Sequence, residues 1–429
     1  MASDAGHVCF VGGGTMGCYN AILSALGGHQ ATIYDVSETT LAAVPAALTE
    51  MAKQLIGAGL VPVDAVAPAL ERIRTESDVS KALDGAWLVS ESVFEDVSLK
   101  RQLFAEIEQA CGDEVLLTTN SSALLASDIE SALTHGDRFA ALHSHLGAML
   151  FDIVGGPRTS TETIARLKNH VLSLNGFPLV QSRENRGYVF NAMIGPVLST
   201  AMYLVATGAE TIRSVDRAWM LRTGAPMGPF GMIDLFGLRL IYDGWHQRTP
   251  SRTTAQMREM ILSFLAPIVG SGRLGMRSGG GFYDYPDPVY ARPNFLKYQP
   301  ATSSADYALT SAWTQNAVLL AANDIATCED IDRAWMVATR QARGPFGVLD
   351  DIGVDRALIL FGVTGPMVDI ADQGRLPAYL LAKVQQGKIG KRTGTGFYQY
   401  PDPAFESAAF LKVSPVESEE PPALRREVI

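Results

Sequence analysis

The stretch that decides the fold is HVCFVGGGTMGCYNAILSALGGHQATIYD, residues 7–35. It opens with an apolar run, continues through a glycine-rich hexapeptide at 12–17 and apolar residues at helical spacing, and closes with a second apolar run. A strand, a tight glycine turn, a helix and a second strand form the first unit of a doubly wound parallel sheet. The sequence therefore predicts an α/β domain at the N-terminus.

The glycines of this unit indicate a nucleotide site. Gly12 permits the tight turn, Gly14 lets the backbone approach a pyrophosphate, and Gly17 lets the helix pack close to the strand. Thr15 and Met16 begin the helix, whose free N–H groups and positive dipole end would face the phosphates. We therefore predict that the backbone of residues 12–17 binds the cofactor.

Asp35 ends the second strand, 18 residues after Gly17. A carboxylate at this place accepts hydrogen bonds from the adenine ribose and repels a 2′-phosphate. Val36 and Ser37 follow, and no arginine is placed to receive that phosphate. The sequence therefore predicts NAD rather than NADP.

Strands and helices continue to alternate before long helices begin near Gly187. Strands are predicted at 86–90, 115–118 and 139–142, and helices at 97–111 and near 126–133. The helical part contains an internal repeat at offsets of 115 and 116 residues. The repeated segments are VDRAWM 215–220 with IDRAWM 331–336, GPFG 228–231 with GPFG 344–347, and GMRSGGGFY 275–283 with GKRTGTGFY 390–398.

This pattern predicts an α/β Rossmann-type nucleotide-binding domain followed by two homologous all-α domains. The predicted divisions are a nucleotide-binding domain at 1–183, a helical substrate domain at 184–297, a second helical copy at 298–413 and a flexible acidic tail at 414–429. We expect the second copy to be architectural because it contains no histidine and places Tyr307 opposite Asn191.

Composition excludes several classes of protein. A net charge of −10 argues against a nucleic-acid binder, and no apolar run is long enough to span a bilayer. The N-terminus has no signal-peptide pattern, and the four cysteines have neither metal-like nor disulfide spacing. We therefore expect a metal-free cytoplasmic protein that binds neither nucleic acid nor membrane.

Several motifs resemble those of the 3-hydroxyacyl-CoA dehydrogenase family. They are TNSS 119–122, RFAALH 138–143, YVFN 188–191, GAPMGPF 224–230 and the repeated segment that ends in Gly-Phe-Tyr. The resemblance covers nearly the whole chain. The helical domain is present twice, as in the dehydrogenase portion of the fused multifunctional β-oxidation enzymes.

The resemblance implies roles for single residues. It makes His143 the general base, Ser122 a hydroxyl that contacts cofactor and substrate, and Asn191 the holder of the substrate oxygen. A histidine suits proton removal because its ordinary pKa of about 6.5 lies near the working pH. The resemblance also implies three further cofactor contacts, Glu95, Lys100 and Arg277.

The chain departs from the family pattern after His143. The following run is about three residues shorter, which puts Asp152 where the family has a glutamate partner for the base. His145 would share a strand face with His143, as a second polar contact or a competing base. Leu146 replaces an asparagine that touches the cofactor. Two CoA-contact positions, normally serine and lysine, are occupied by Met51 and Ala58.

We therefore predict NAD-dependent oxidation of a (3S)-3-hydroxyacyl-CoA to the 3-ketoacyl-CoA, with an acyl-CoA as substrate. One alternative is a dehydrogenase of a free hydroxy acid, similar to the crystallin-like gulonate dehydrogenases. Another is a non-catalytic NAD-binding scaffold. We expect a monomer or homodimer in which the second helical copy packs on the first as a partner subunit would.

Overall fold

The computed structural model describes residues 6–247, 255–297, 303–364 and 374–412. The predicted tail at 414–429 lies outside these residues. The described chain forms two compact units. One contains residues 6–189, 324–330 and 409–412, and the other contains the described parts of 190–323 and 331–408. The predicted domain limits stay predictions, and the N-terminal unit continues to Val189.

The first unit is built on one eight-stranded sheet. Its strands are β1 His7–Val11, β2 Gln30–Tyr34, β3 Ile73–Glu76, β4 Ala86–Glu91, β5 Leu116–Thr119, β6 Phe139–Ser144, β7 Leu150–Gly155 and β8 Phe177–Val180. Their order across the sheet is β3-β2-β1-β4-β5-β6-β7-β8. All neighbouring pairs are parallel except β6 and β7, which run antiparallel. The predicted α/β nucleotide-binding fold is confirmed.

The helices of this unit connect the strands. They are α1 Thr15–Leu26, α2 Glu38–Gly57, α3 Val66–Leu70, α4 Val79–Leu83, α5 Val97–Ala110, α6 Ala126–Glu130 and α7 Thr161–Ser173. In β1, Val8 and Phe10 belong to one apolar cluster and Cys9 and Val11 to another. Alternate residues of a strand point to opposite faces, so this sheet is buried on both sides.

Three strands were not predicted from the sequence. The short strand β3 mixes Ile73 with polar residues, and the apolar run of β8 contains a proline. The segment that forms β7 belongs to the shortened run after His143, and Leu150–Gly155 is fully buried in the sheet. This difference matters for the site because β7 carries Asp152.

The second unit contains the two helical copies. The first copy has α8 Phe190–Ala206, α9 Ile212–Thr223, α10 Pro229–Phe236, α11 Leu238–Gln247 and α12 Ala255–Gly270, and the second has α13 Ser304–Ala322, α14 Cys328–Thr339, α15 Pro345–Ile352, α16 Val354–Thr364 and α17 Arg375–Gln385. Helix α8 packs against α13, its counterpart in the second copy. No helix of the described residues is long and apolar enough to cross a membrane.

A buried aspartate explains why three separate segments are repeated together. Asp216 accepts hydrogen bonds from the N–H groups of Phe230 and Gly231 and from the hydroxyl of Tyr283. Asp332 has the same three bonds with the corresponding residues of the second copy. Burial raises the pKa of each aspartate to about 7. Each repeated segment therefore supplies one part of the same hydrogen-bonded unit.

Candidate active site

The glycine loop between β1 and α1 is closed on the strand side and open on its outer side. Gly12 has φ of +105°, and its N–H donates to the Tyr34 carbonyl at 2.8 Å. A Cβ on Gly17 would lie 1.8 Å from the Gly12 oxygen, so only glycine allows this close packing. A Cβ on Gly14 would meet nothing within 4 Å. The exposed side of the loop, where Thr15 and Met16 begin α1, is thus free for a ligand.

The carboxylate of Asp35 is held beside this loop. Its Oδ2 accepts a hydrogen bond from the Gly13 N–H at 2.8 Å, and its Oδ1 accepts one from the Ser37 N–H at 2.8 Å. The first N–H groups of α1 have no acceptor within the helix and favour a negatively charged group. This arrangement fits the pyrophosphate and adenine ribose of a dinucleotide.

His143 and Asp152 face each other across the antiparallel pair of β6 and β7. They are direct partners in the strand register, and Nδ1 of His143 lies 3.2 Å from Oδ2 of Asp152. Both side chains are buried. Burial lowers the pKa of His143, and His145 lowers it further, while the Asp152 carboxylate acts in the opposite direction. The imidazole is therefore neutral at neutral pH and able to accept a proton.

Asp152 also binds His145, which the sequence offered as a second polar contact or a competing base, and Gln181, which the sequence did not single out. Its Oδ2 lies 2.7 Å from Nε2 of His145, and its Oδ1 accepts a hydrogen bond from Nε2 of Gln181 at 2.9 Å. Burial alone would raise the pKa of Asp152, but the hydrogen bonds from the two histidines outweigh it and lower the pKa. The carboxylate thus stays charged between two imidazoles.

The ring of Tyr188 completes the surroundings of His143. The two rings stack with centroids 4.7 Å apart, and the Tyr188 hydroxyl donates to the Ser121 carbonyl at 2.6 Å. Tyr188 lies beside Asn191 in the YVFN segment, but only the tertiary structure shows that its ring covers the histidine. Gln181 offered no such signal, because it lies in a loop after β8.

Helix α1 and the end of β5 hold the β6–β7 turn in place. The Tyr19 hydroxyl accepts from the Gly147 N–H and donates to the Ala148 carbonyl, at 3.1 and 3.0 Å. Oδ1 of Asn120 accepts hydrogen bonds from both the backbone N–H and the hydroxyl of Ser144. The short connection after His143 is thereby fixed to the same helix that begins at the glycine loop.

Glu95 is held by Lys100 and by the loop after β5. It accepts hydrogen bonds from the Ser121 hydroxyl and, at 2.9 Å, from the Ala123 N–H. The Lys100 ammonium lies 3.4 Å from Glu95 and 2.5 Å from Glu91. Burial acts to raise the pKa of Glu95, but these hydrogen bonds and the ammonium outweigh it, so the pKa is lowered.

The family assignment rests on matches of this chain to the models of two protein domains. The description "3-hydroxyacyl-CoA dehydrogenase, NAD binding domain" matches residues 7–184, and "3-hydroxyacyl-CoA dehydrogenase, C-terminal domain" matches both 187–285 and 308–400. The chain belongs to the 3-hydroxyacyl-CoA dehydrogenase family. Its cofactor is NAD, and the duplication of the helical domain is confirmed.

Relatives and solved structures agree with this assignment. The chain is 30% identical over 290 residues to the mitochondrial hydroxyacyl-coenzyme A dehydrogenase of Rattus norvegicus, which covers 65% of this chain and 91% of the relative. It is 28% identical over 294 residues to a 3-hydroxybutyryl-CoA dehydrogenase of Mycobacterium tuberculosis, covering 66% and 100%. The protein is therefore an NAD-dependent oxidoreductase of this family.

Two solved structures illustrate what the chain shares and where it is longer. A diketoreductase is 28% identical, with a TM-score of 0.60, and covers 66% of this chain and 100% of its own. The 3-hydroxybutyryl-CoA dehydrogenase of Escherichia coli covers 91% of this chain and 96% of its own, with a TM-score of 0.67 at 20% identity. The second similarity is one of fold and extends over most of the chain.

The structure places the remaining predicted residues of this family member as follows. Lys100 is only 1% exposed, so its ammonium supports Glu91 and Glu95 and is not presented to solvent. Ser122 is exposed after β5. Asn191 is the partly buried second residue of α8, and Arg277 is exposed in the 3-10 helix Met276–Ser278. Asn191 and Arg277 belong to the helical unit, and their roles stay predictions.

The paired histidines also form a group with the donor atoms of a metal site. One ligand atom from each of His143, His145 and Asp152 lies within 4.8 Å of the other two. Two imidazoles and a carboxylate are donors that zinc accepts. An ion here would displace the protons that join these residues, and it would remove the base. The absence of a metal from the working enzyme stays a prediction.

Proposed function

We propose that this protein oxidises a (3S)-3-hydroxyacyl-CoA to the 3-ketoacyl-CoA, with His143 as general base. The observation that carries the proposal is the buried contact of 3.2 Å between His143 and Asp152 in the domain that contains the NAD-binding loop. A neutral imidazole oriented by a carboxylate is suited to remove the proton of an alcohol. Relatives named for hydroxyacyl-CoA substrates supply the substrate class.

The hydrogen bonds of His143 favour one of its two nitrogens as the base. An ionised carboxylate only accepts hydrogen bonds, so Nδ1 of His143 carries the proton toward Asp152. Nε2 is then the nitrogen with a free lone pair, and it takes the hydroxyl proton of the substrate. NAD, when bound, would supply the acceptor for the hydride that leaves the carbon carrying this hydroxyl. Asp152 stabilises the imidazolium that results, because its negative charge lies directly beside it.

The other predicted site residues support this reaction in our proposal. Ser122 and Asn191 would donate neutral hydrogen bonds to the developing ketone oxygen. Glu95 would contact the nicotinamide side of the cofactor, and Lys100 acts through Glu95 as a positioning residue. Arg277 would contribute positive charge near the cofactor.

The test measures NADH formation with NAD and 3-hydroxyacyl-CoA thioesters, each paired with its free acid. We expect turnover of the thioesters and a loss of about 10²-fold or more in His143→Ala, the low end for a missing general base. His135→Ala is the matched control, because His135 is exposed in a loop. Equal activity in wild type and His143→Ala would refute the role of the base.

A second candidate function is the oxidation of a free hydroxy acid. Met51 is buried in α2 where the family has a CoA contact, and Leu146 is half-exposed where the family has a cofactor contact. The diketoreductase among the similar structures is named for dicarbonyl compounds, without mention of CoA. Turnover of free acids alone would establish this function. NAD binding with no turnover of any of these substrates would favour the non-catalytic scaffold.

We also propose that the second helical copy takes the place of a partner subunit. The Arg222 guanidinium of the first copy forms an ion pair with Asp306 of the second. The rings of Trp219, Trp313 and Trp335 lie against one another, with centroids 4.7–6.1 Å apart. Sedimentation should therefore show a monomer. A tight dimer with both copies at its interface would contradict the proposal.

We also propose that the protein is located in the cytoplasm. The rat relative is named as mitochondrial, so location differs within the family. Fractionation of the producing cells, with the protein followed by antibody, tests the location directly.

A further inference from the structure

The helical unit contains a cavity that the proposed reaction does not use. Its volume is about 1020 Å³, and its wall is formed by the end of α9 in the first copy and by α13, α15 and α16 of the second. This is at the upper end of the range for small-molecule pockets. Its lining belongs wholly to the helical unit, whereas His143 and Asp152 belong to the N-terminal unit.

Within the part of the chain that the structure describes, two buried hydrogen-bond donors in the wall of this cavity have no partner. Trp313 is 1% exposed and its Nε1–H is unpaired, and Gln341 is 6% exposed and its Nε2 is unpaired. The orientation of the Gln341 amide is determined by Trp335, whose Nε1–H donates to Oε1 at 2.9 Å. The indole requires an acceptor, so the free end of the amide must be the NH₂ group. Both unpaired groups are hydrogen-bond donors, so a ligand that satisfies them must supply an acceptor oxygen.

The charged residues of the wall leave one arginine uncompensated. Arg222 is paired with Asp306, and Arg343 is paired with Asp351. Among the described residues, the guanidinium of Arg356 has no hydrogen-bond or ion-pair partner, and this side chain is exposed at the cavity. The cavity therefore combines one available positive charge with unpaired donors. Val348 and Ile352 contribute apolar surface to the same wall.

The internal repeat shows that these polar groups are particular to the second copy. The residues 116 positions before Gln341 and Arg356 are apolar, Ala225 and Leu240. Trp219 corresponds to Trp335, but its buried Nε1–H has no acceptor among the described residues, and the first copy has alanine in place of Gln341. The shared framework thus does not require either polar residue.

We propose that this cavity is a second ligand site, which binds a carboxylate or thioester carbonyl carried on an apolar chain. Trp313 and Gln341 donate to the acceptor oxygen, and Arg356 pairs with the negative charge of a carboxylate or of a CoA phosphate. The chain lies against the apolar part of the wall. The second helical copy is then a binding module as well as a structural element.

Calorimetric titration of the full-length protein tests this site, with decanoate and decanoyl-CoA as probes in the presence of NADH. Gln341→Ala and Arg356→Leu introduce the residues that the first copy tolerates at the same positions, so both variants should fold. We expect at least one of them to weaken binding about tenfold or more, the usual effect of losing a hydrogen bond to a charged group. Lys388→Leu is the charge-matched control, because Lys388 is exposed and outside the cavity wall.

The number of sites separates this cavity from the proposed active site. Decanoate binding that is lost in the variants and kept in Lys388→Leu supports a site for free acids. A second decanoyl-CoA per chain, lost in the same variants, supports a site for thioesters. If neither probe binds, or both variants bind each probe as wild type does, the proposal is wrong. These outcomes do not depend on turnover, so failure of the proposed second site can be distinguished from failure of the proposed reaction.

Discussion

Replacing Asp152 by asparagine tests the proposed chemistry most sharply. Gln181 donates its Nε2–H to Oδ1 of Asp152, while His143 and His145 contact Oδ2. As long as Gln181 keeps its bond, the asparagine oxygen must face Gln181 and the new NH₂ group must face the histidines. His143 would then accept at Nδ1 and carry its proton on Nε2. That nitrogen can no longer act as the base.

The size of the effect follows from the contact distance. Two unit charges 3.2 Å apart interact by about 5 kcal/mol at an effective dielectric constant of about 20. The amide dipole and rearranged hydrogen bonds recover part of this, which leaves a loss of about 3–4 kcal/mol for the imidazolium formed during the reaction. At about 1.4 kcal/mol for each factor of ten, kcat/KM should fall about 10²- to 10³-fold in Asp152→Asn.

The assay is steady-state NADH formation with a thioester that wild type oxidises, together with a measurement of NAD affinity. Asp332→Asn is the matched control, because Asp332 is also fully buried and accepts three hydrogen bonds, but in the second helical copy. We expect NAD affinity to be unchanged in Asp152→Asn. A folded variant with kcat/KM within about threefold of wild type would refute the proposed role of the carboxylate.

Three further predictions concern other charged groups. In His145→Phe the pKa of His143 should rise, because the electrostatic effect of His145 is lost and Asp152 binds one histidine only. The acid limb of the kcat/KM profile should therefore move to higher pH. Lys100→Met leaves the buried carboxylate of Glu91 without its counter-charge and should lower the free energy of unfolding in urea by about 3–5 kcal/mol. Burial lowers the pKa of His170 from 6.5 to about 3. As pH falls from 6.5 toward 3, the unfolded chain therefore binds a proton at His170 that the folded chain does not, and the free energy of unfolding decreases. His170→Phe should reduce this acid dependence by up to about 1.4 kcal/mol per pH unit in that range.

Each of these predictions has a control. His145→Gln keeps a polar side chain without a titrating group and should also move the acid limb upward. Lys53→Met removes an exposed lysine and should change stability by less than about 0.5 kcal/mol. His135→Phe alters an exposed histidine and should leave the acid dependence of stability as it is in wild type. An unmoved acid limb in His145→Phe would contradict the first prediction. An unchanged free energy of unfolding in Lys100→Met would contradict the second, and an unchanged acid dependence of that free energy in His170→Phe would contradict the third.

The fold of the N-terminal unit could be predicted from the sequence because the patterns that indicate it each lie within a short segment. The glycine turn, the apolar runs of β1 and β2 and the helical spacing of α1 lie within residues 7–35, and each reports the conformation of its own segment. The duplication could also be predicted from the sequence, because matching segments within one chain can be found without any knowledge of its structure. Asp216 and Asp332 now explain why the repeated segments are kept together, since each aspartate joins all three.

The surroundings of His143 depended on contacts between segments that are distant in sequence. The shortened run after this histidine indicated Asp152 by alignment, but the antiparallel pairing of β6 with β7 puts the two side chains in direct contact. Gln181 joins them from a loop after β8, and burial places the Lys100 ammonium against Glu91 and Glu95. Periodicity and spacing describe how a segment folds. Strand order, burial and ion pairing exist only after segments meet, so those features were decided by the tertiary structure.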